Sequence, residues 1–393
     1  MNASITHTNI MVAPSHRHQS SLGGMIDFST DVGSFANVQE RDRAICRFRR
    51  IVGYFEALEP PARNGKYNRP ALVRLTFEYA RSPESQDKFL GAFFRSLALG
   101  MLDESPDLSN DSAVADFREP LFGFADFLVN NFFLPLRAAT NKTPQPSPVY
   151  HAVVQQAQAQ AEQQRIQDFV GTPERLSALR GTCLARDRHR CVITHAFDTM
   201  EAKERWKQLP AQDDDGNPLG GNDTYGYLEV AHIIPYALTK EEDSGLNESR
   251  KAAIAILNMF DNDVIYLIEG TDINRPCNAI TLSQDMHQCF GHFDIFFKRI
   301  ADALPNTYQI QTFLPFLAGG RFPITRTLFT HPSIDPPSER LLALHSAIGH
   351  ILHLSGAGDY VQAILNDMET GVVQQDGSTQ LGLLVNLALQ MRG

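Results

Sequence analysis

The sequence predicts an α+β protein: a mainly helical N-terminal module, a middle region of a few short strands leading into a helix, and C-terminal helices. Apolar residues recur at three- and four-residue steps over 38–138 and again after 338, the period of an amphipathic helix. Between them lie short apolar or alternating runs separated by Gly, Pro and Asn, the pattern of strands and turns. At 393 residues the chain can bury at least one large core.

Taken in order, residues 1–36 are rich in Ser, Thr, His and Gly and are expected to be disordered. The helical module at 38–138 opens with the stripe Ile45, Phe48, Ile51, Val52 and Phe55, which Pro60-Pro61 ends. Pro83 divides 72–101 into two helices, and Phe117 to Leu136 carries a second Phe-rich stripe. Such stripes are read as core packing rather than a ligand pocket. Residues 139–170 read as a linker and a Gln- and Ala-rich helix. Within 171–330, a helix begins at Thr172-Pro173-Glu174, Arg190 to Thr194 reads as a short strand, and the acidic stretch around Asp213, Asp214 and Asp215 reads as a solvated loop. Residues 225–234, 278–282, 293–299 and 307–313 are strand-like, with helices at 252–260 and from Gln284. Residues 331–393 hold helices at 338–354 and 360–368 and a tail, in which 381–389 reads as one more short helix. His345, His350 and His353 lack the i, i+4 step of a metal pair and are read as surface or core residues.

Hydrophobic content of 43% and charged content of 20% are ordinary for a globular protein. A net charge of −10 argues against a general polyanion binder, so nucleic-acid binding would need a local basic face. Arg186, Arg188 and Arg190 are the candidates, although Asp187 sits among them and a solvated face fits as well. Five cysteines, an odd number without a CxxC pair, point to buried thiols in a reducing compartment, and a structural zinc site is not expected. Met1 to Gln19 has no apolar core of a secretion signal and no run of about 18 apolar residues occurs, so an intracellular protein of the cytoplasm or nucleus without a membrane segment is expected.

The chemistry lies in 228–296. Ala231-His232-Ile233-Ile234-Pro235 is followed, after a long connection, by Asn278-Ala279-Ile280-Thr281-Leu282 and Met286-His287-Gln288-Cys289-Phe290. Together with Cys191-Val192-Ile193-Thr194 upstream, this order resembles the HNH endonuclease family, whose ββα-metal unit reads strand, His, Asn, strand, helix, His. The resemblance covers about 190–315 and is closest to the branch with an Ala-His-Ile-Ile-Pro motif. It implies metal-dependent hydrolysis of DNA phosphodiesters, with His232 as general base near its ordinary pKa of about 6.5. It also implies Asn278 as the residue pinning the loop, His287 as metal ligand on the helix, a divalent cation such as Mg²⁺, and products with 5′-phosphate and 3′-hydroxyl ends. Two departures stand out. Many members have a metal-binding Asp or His just before the base, where this chain has Ala231, and often Gly at the position of His195. Glu229, on the Ala231 face by strand alternation, is the first substitute ligand, with His292 and Asp294 behind it. The alternative is a catalytically weak nucleic-acid or protein interaction module, which Ala231 and the negative charge favour; a third reading makes the Phe-rich helices a partner-binding part. No protein partner is named by the sequence.

Overall fold

The computed structural model describes residues 35–61, 66–104, 106–140, 154–157, 172–221, 223–235 and 248–370. The readings made for 1–34, most of 139–170 and the tail after 370 lie outside these residues.

Five helices form the N-terminal part: α1 (Val38–Leu58), α2 (Arg69–Glu78), α3 (Pro83–Ser96), α4 (Asp111–Leu128) and α5 (Leu134–Thr140), with a π turn at Val129–Phe133 joining the last two. Side chains with free oxygens start them. Asn37, Asn68, Ser82 and Asn110 each accept a backbone N–H from the first turn, and Pro83 occupies the first position of α3, where its missing N–H costs nothing. The two Phe stripes meet: Phe48 packs edge-on against Phe89 and Phe93, and Phe93 in turn packs against Phe124.

The middle region holds α6 (Thr172–Arg186), β1 (Phe197–Asp198), α7 (Thr199–Arg205), β2 (Tyr225–Gly226), β3 (Leu228–His232), α8 (Glu248–Phe260), β4 (Ala279–Ser283) and α9 (Gln284–Gly291). Strands β5 (Ile295–Arg299), β6 (Thr307–Thr312) and β7 (Ile324–Thr327) make an antiparallel sheet in the order β5-β6-β7. Helices α10 (Glu339–Ser355) and α11 (Ala357–Thr370) close the described chain, with Ser338 capping the first and Gly356, at φ 76°, ending it. The expected strand at 190–194 is instead a turn: Cys191 N–H donates to Ala196 O, His195 N–H reaches back to Cys191 O, and the Cys191 thiol accepts Thr194 N–H. The turn closes through His195 at φ 61°, a left-handed backbone that favours glycine.

The module at 38–138 and the strand region share one continuous core that runs from Ala44 to Leu365. Phe132 and Phe133 of the π turn lie against Phe260 of α8, with ring centroids 5.1 and 5.9 Å apart. Helix α10 packs on both α2 and β5. Its Gly349 allows this approach, since a Cβ there would stand 3.2 Å from Phe293 O.

His345 of α10 is the most constrained histidine of this core. Its ring stacks on Phe290 (3.8 Å, 4°) and on Phe293 (4.4 Å, 23°), and Nε2–H donates to Phe290 O at 3.0 Å. Burial lowers its pKa to about 3, outweighing that bond. A folded pKa below the unfolded value near 6.5 means the unfolded chain takes up the proton first. The neutral ring therefore contributes its full stability above pH 6.5 and loses it as pH falls toward 3. From pH 7.5 to 5 this one group should remove about 2 kcal/mol. Urea unfolding across that range should show the decline, with buried His232 adding to it, and His345→Gln should make it shallower by about 2 kcal/mol; an equally steep decline in the variant would remove His345 as a source.

Candidate active site

β3 and β4 pair antiparallel in the register Leu228↔Ser283 to His232↔Ala279, and α9 follows β4 without a break. This is the strand–strand–helix order expected from the motif. Both strands are covered: Val230 and Ala279 meet Leu179 and Cys183 of α6, while Leu228, Ala231, Ile280 and Leu282 join the main core.

His232 ends β3 and is 7% exposed. Its Nε2 stands 3.0 Å from Asn274 Oδ1. With that oxygen as acceptor, Nε2 carries the proton and Nδ1 keeps the lone pair. Burial lowers the His232 pKa to about 4, against the raising effect of Asn274 and with a further lowering from nearby His287. The expectation of an ordinary value near 6.5 is thus corrected: desolvation keeps the ring neutral at physiological pH, ready to accept a proton but a weak base until something stabilises the charge. Asn274 was not singled out by the sequence, and its only signal is its place four residues before Asn278.

Asn278 is fully buried and ties the connection after β3 to the one before β4. Its amide donates to Ile234 O (2.9 Å) and Ile273 O (3.0 Å), and its oxygen accepts Ile234 N–H (3.0 Å). Its own carbonyl accepts Ile233 N–H at 2.8 Å. The chain just after His232 is therefore held at three points.

His287 lies in the first turn of α9, and its Nδ1–H donates to Glu229 Oε2 at 2.5 Å. Gln284 Nε2 donates to the other oxygen, Glu229 Oε1, at 3.1 Å. Glu229 so selects the His287 tautomer whose Nε2 is the free donor atom. Ala231 is buried and contributes no ligand. His292 and Asp294, the other substitutes considered, stand beyond the C-terminal end of α9, where Asp294 meets His353 (3.4 Å) and His292 (3.8 Å). Among the described residues, no three His, Cys, Asp or Glu side chains are grouped to hold a metal ion.

Arg186 and Arg190 turn inward, while Arg188 stays half-exposed in an ion pair. Arg186 is fully buried, in a two-bond pair with Asp187 (2.8 Å each), and donates to Pro276 O (2.7 Å) and Ala279 O (2.9 Å). Burial works against its charge, but Asp187 more than restores it and leaves its pKa raised. It is a brace of β4, and the expectation of a phosphate contact is corrected. Arg190 pairs with Asp213 at 2.9 Å, Arg188 with Asp215, and Arg205 with Asp214 at 2.9 Å. The acidic loop is thus the counter-charge of the arginines. The cation that does border the site is Arg180 of α6, which donates to Leu228 O at 3.0 Å and has Asp198 and Glu229 as charged neighbours.

Residues 191–298, from the Cys191 turn to Lys298 in β5, match the family model described as HNH endonuclease. No curated protein and no solved structure matches the chain. The resemblance drawn from the motifs therefore stands at the level of the family, which points to a nuclease-type function and a nucleic-acid substrate. No helix among the described residues is long and apolar enough to cross a membrane.

If Arg186 is a brace, Arg186→Leu should cost about 3–5 kcal/mol by leaving Asp187 buried and unpaired. Arg188→Ala, which breaks a half-exposed pair, should cost under about 1 kcal/mol. Chemical unfolding midpoints measure both, and equal small losses would contradict the buried role.

Proposed function

We propose that this chain is a metal-dependent endonuclease that hydrolyses DNA phosphodiesters, with His232 as general base. The observation that carries the reading is the placement of His232, Asn278 and His287 on one β3–β4–α9 unit, with Glu229 joining strand to helix. His232 Nδ1 takes the proton from the attacking water, while Asn274 holds the ring by its Nε2–H and stabilises the charged form. Asn278 prevents the backbone after His232 from turning the ring away.

One imidazole with a free Nε2, backed by a carboxylate, offers a divalent ion a single nitrogen ligand, so water and phosphate oxygens would complete the shell of Mg²⁺ or, better matched to imidazole, a transition ion. It does not fit a structural zinc, which asks for four protein donors. His287 would hold the ion through Nε2, with Glu229 orienting the ring from its Nδ1 side rather than ligating directly. Bound there, it would neutralise phosphoryl charge and stabilise the leaving oxygen.

Purified protein with Mg²⁺ or Mn²⁺ should nick supercoiled plasmid. His232→Ala should abolish nicking, and Asn274→Ala and Glu229→Gln should each lower it by about 10- to 100-fold, the usual effect of losing a residue that orients a metal-site or catalytic imidazole. Undiminished nicking by His232→Ala would sink the reading.

A second reading is favoured by Ala231, which leaves the site one ligand short of many family members. In it the unit binds nucleic acid or protein without cutting. Salt-sensitive retention of DNA with no nicking in any divalent metal would select it.

A further inference from the structure

We infer that Arg180 of α6 is a positioning residue for the proposed cation site: it fixes the Glu229 carboxylate, which in turn orients the His287 ring. The inference rests on the reading of His287 as the ligand of the cation. It goes beyond that reading by assigning a part to a helix that precedes the family-matched segment.

The placement follows from how α6 lies on the strands. Leu179 and Cys183, one turn apart, seat the helix on Val230 and Ala279. Arg180 follows Leu179 at the margin of that contact, and its Nη1 donates to Leu228 O at 3.0 Å. Leu228 is one peptide unit from Glu229, and it lies opposite Ser283, the residue before Gln284. The guanidinium is thus fixed at the corner where β3 begins, β4 ends and α9 starts. The carboxylates near it are Asp198 and Glu229. Asp198 comes there through its own pairing with Gly226, two residues before Leu228. The helix backbone has no slack at this point. A Cβ on Gly181 would stand 2.4 Å from Val154 O and 3.1 Å from Ala157 Cβ, so α6 is pressed between that segment and the strands.

The two carboxylates differ in what else holds them. Asp198 Oδ1 accepts Met200 N–H (2.7 Å) and Glu201 N–H (3.0 Å), so the backbone of α7 fixes it. Glu229 receives side-chain donors from α9, His287 Nδ1–H and Gln284 Nε2–H. Those donors pull the carboxylate toward one element, and side chains move together. A fixed positive charge on α6 adds a second direction, and its attraction is strong in a half-buried setting. An imidazole ligand keeps its tautomer through the partner of its other nitrogen, so whatever steadies that partner steadies the ligand. Burial lowers the Arg180 pKa by more than its two carboxylate neighbours raise it. The charge is therefore kept at a net cost in stability, as expected of a group retained for what it orders.

The experiment uses the full chain with ¹⁵N-labelled histidine, free of metal and DNA, and reads the ring nitrogens of His287 by NMR. Their signals are those lost in His287→Gln. Wild type should show Nδ1 protonated and Nε2 bare. Arg180→Met, which keeps the bulk and removes the charge, should give a mixture of tautomers, and Arg180→Lys should restore the single one. In a Glu229→Gln background Arg180→Met should change nothing further, because it acts through Glu229. Mn²⁺ binding, followed by the electron paramagnetic resonance of the free ion, should weaken by roughly 10-fold in Arg180→Met, the lower end for a residue that orients a metal-bound imidazole. A His287 spectrum unchanged by Arg180→Met would overturn the inference. So would an equal change in the Glu229→Gln background, or one reproduced by Asp198→Asn, which would route the effect through the cap of α7. Should Arg180→Met fail to fold, Arg180→Gln, whose amide can still donate to Leu228 O, carries the same readings. Mixed tautomers with no loss of Mn²⁺ affinity would remove His287 as the ligand and leave the positioning role. Weaker Mn²⁺ binding by His287→Gln, with Arg180→Met unchanged in both readings, would do the reverse.

Discussion

The arrangement depends first on a buried ion pair, Arg186 with Asp187, along the outer edge of β4. Among the described residues β3 and β4 form a sheet of two strands, so one edge of β4 faces protein with its peptide groups unpaired by another described strand. Arg186 gives hydrogens to the carbonyls of Pro276 and Ala279, while Asp187 accepts Thr281 N–H at 3.2 Å and Val192 N–H bonds Thr281 O at 3.0 Å. A buried peptide group without a partner costs free energy comparable to a lost hydrogen bond, and this pair removes several such costs at once. The charges are tolerable in the interior because each neutralises the other and their remaining bonding capacity goes to the strand edge. The register that places His232 opposite Ala279, and starts α9 next to Glu229, follows from holding β4 there.

The far end of the unit is secured from outside the family-matched segment. The last carbonyls of α9 accept backbone N–H groups of His292, Phe293 and Asp294, and two side chains add further bonds at Phe290 and Gly291. Arg137 of α5 donates to Gly291 O at 3.1 Å, and His345 of α10 donates to Phe290 O. Arg137 also brings positive charge to the negative end of the helix dipole, although burial lowers its pKa to about 10. The N-terminal helices and the C-terminal helices thus act on the same eight-residue helix that carries His287. This gives the Phe-rich module a physical role in the site without any chemistry of its own.

The order of the central unit was legible because it rests on residue types with narrow chemical uses at set positions: His232 at a strand end, Asn278 at the start of the next strand, and His287 one helical turn later. The helices were legible from their apolar steps and capping residues. Other features were hidden for physical reasons. Arg186, Arg188 and Arg190 read as a candidate basic face because local charge density says nothing of which way side chains point, and Asp213 and Asp215, the partners of Arg190 and Arg188, lie across a turn that the sequence does not mark. Arg190 to Thr194 read as a strand because its residues favour β structure, while the turn is made by His195 in a conformation that the residue type does not advertise. Asn274 had no pattern at all. A lone Asn in a connection is ordinary, and only the three-dimensional path brings it to His232. The lowered pKa of His232 likewise follows from burial that no local pattern reveals.

The double capping of α9 has a bearing on biosynthesis. A chain emerges from its N-terminus, so Arg137 is present well before the helix it caps, while His345 arrives more than fifty residues after His287. A nascent chain that has not reached α10 lacks both the donor to Phe290 O and the aromatic stack on Phe290 and Phe293. The helix bearing His287 then keeps at Phe290 O only the backbone bond from Phe293 N–H, above an unfilled part of the core. The helix that carries His287 thus reaches its final packing only after α10 has been made, an order of assembly written into the connectivity.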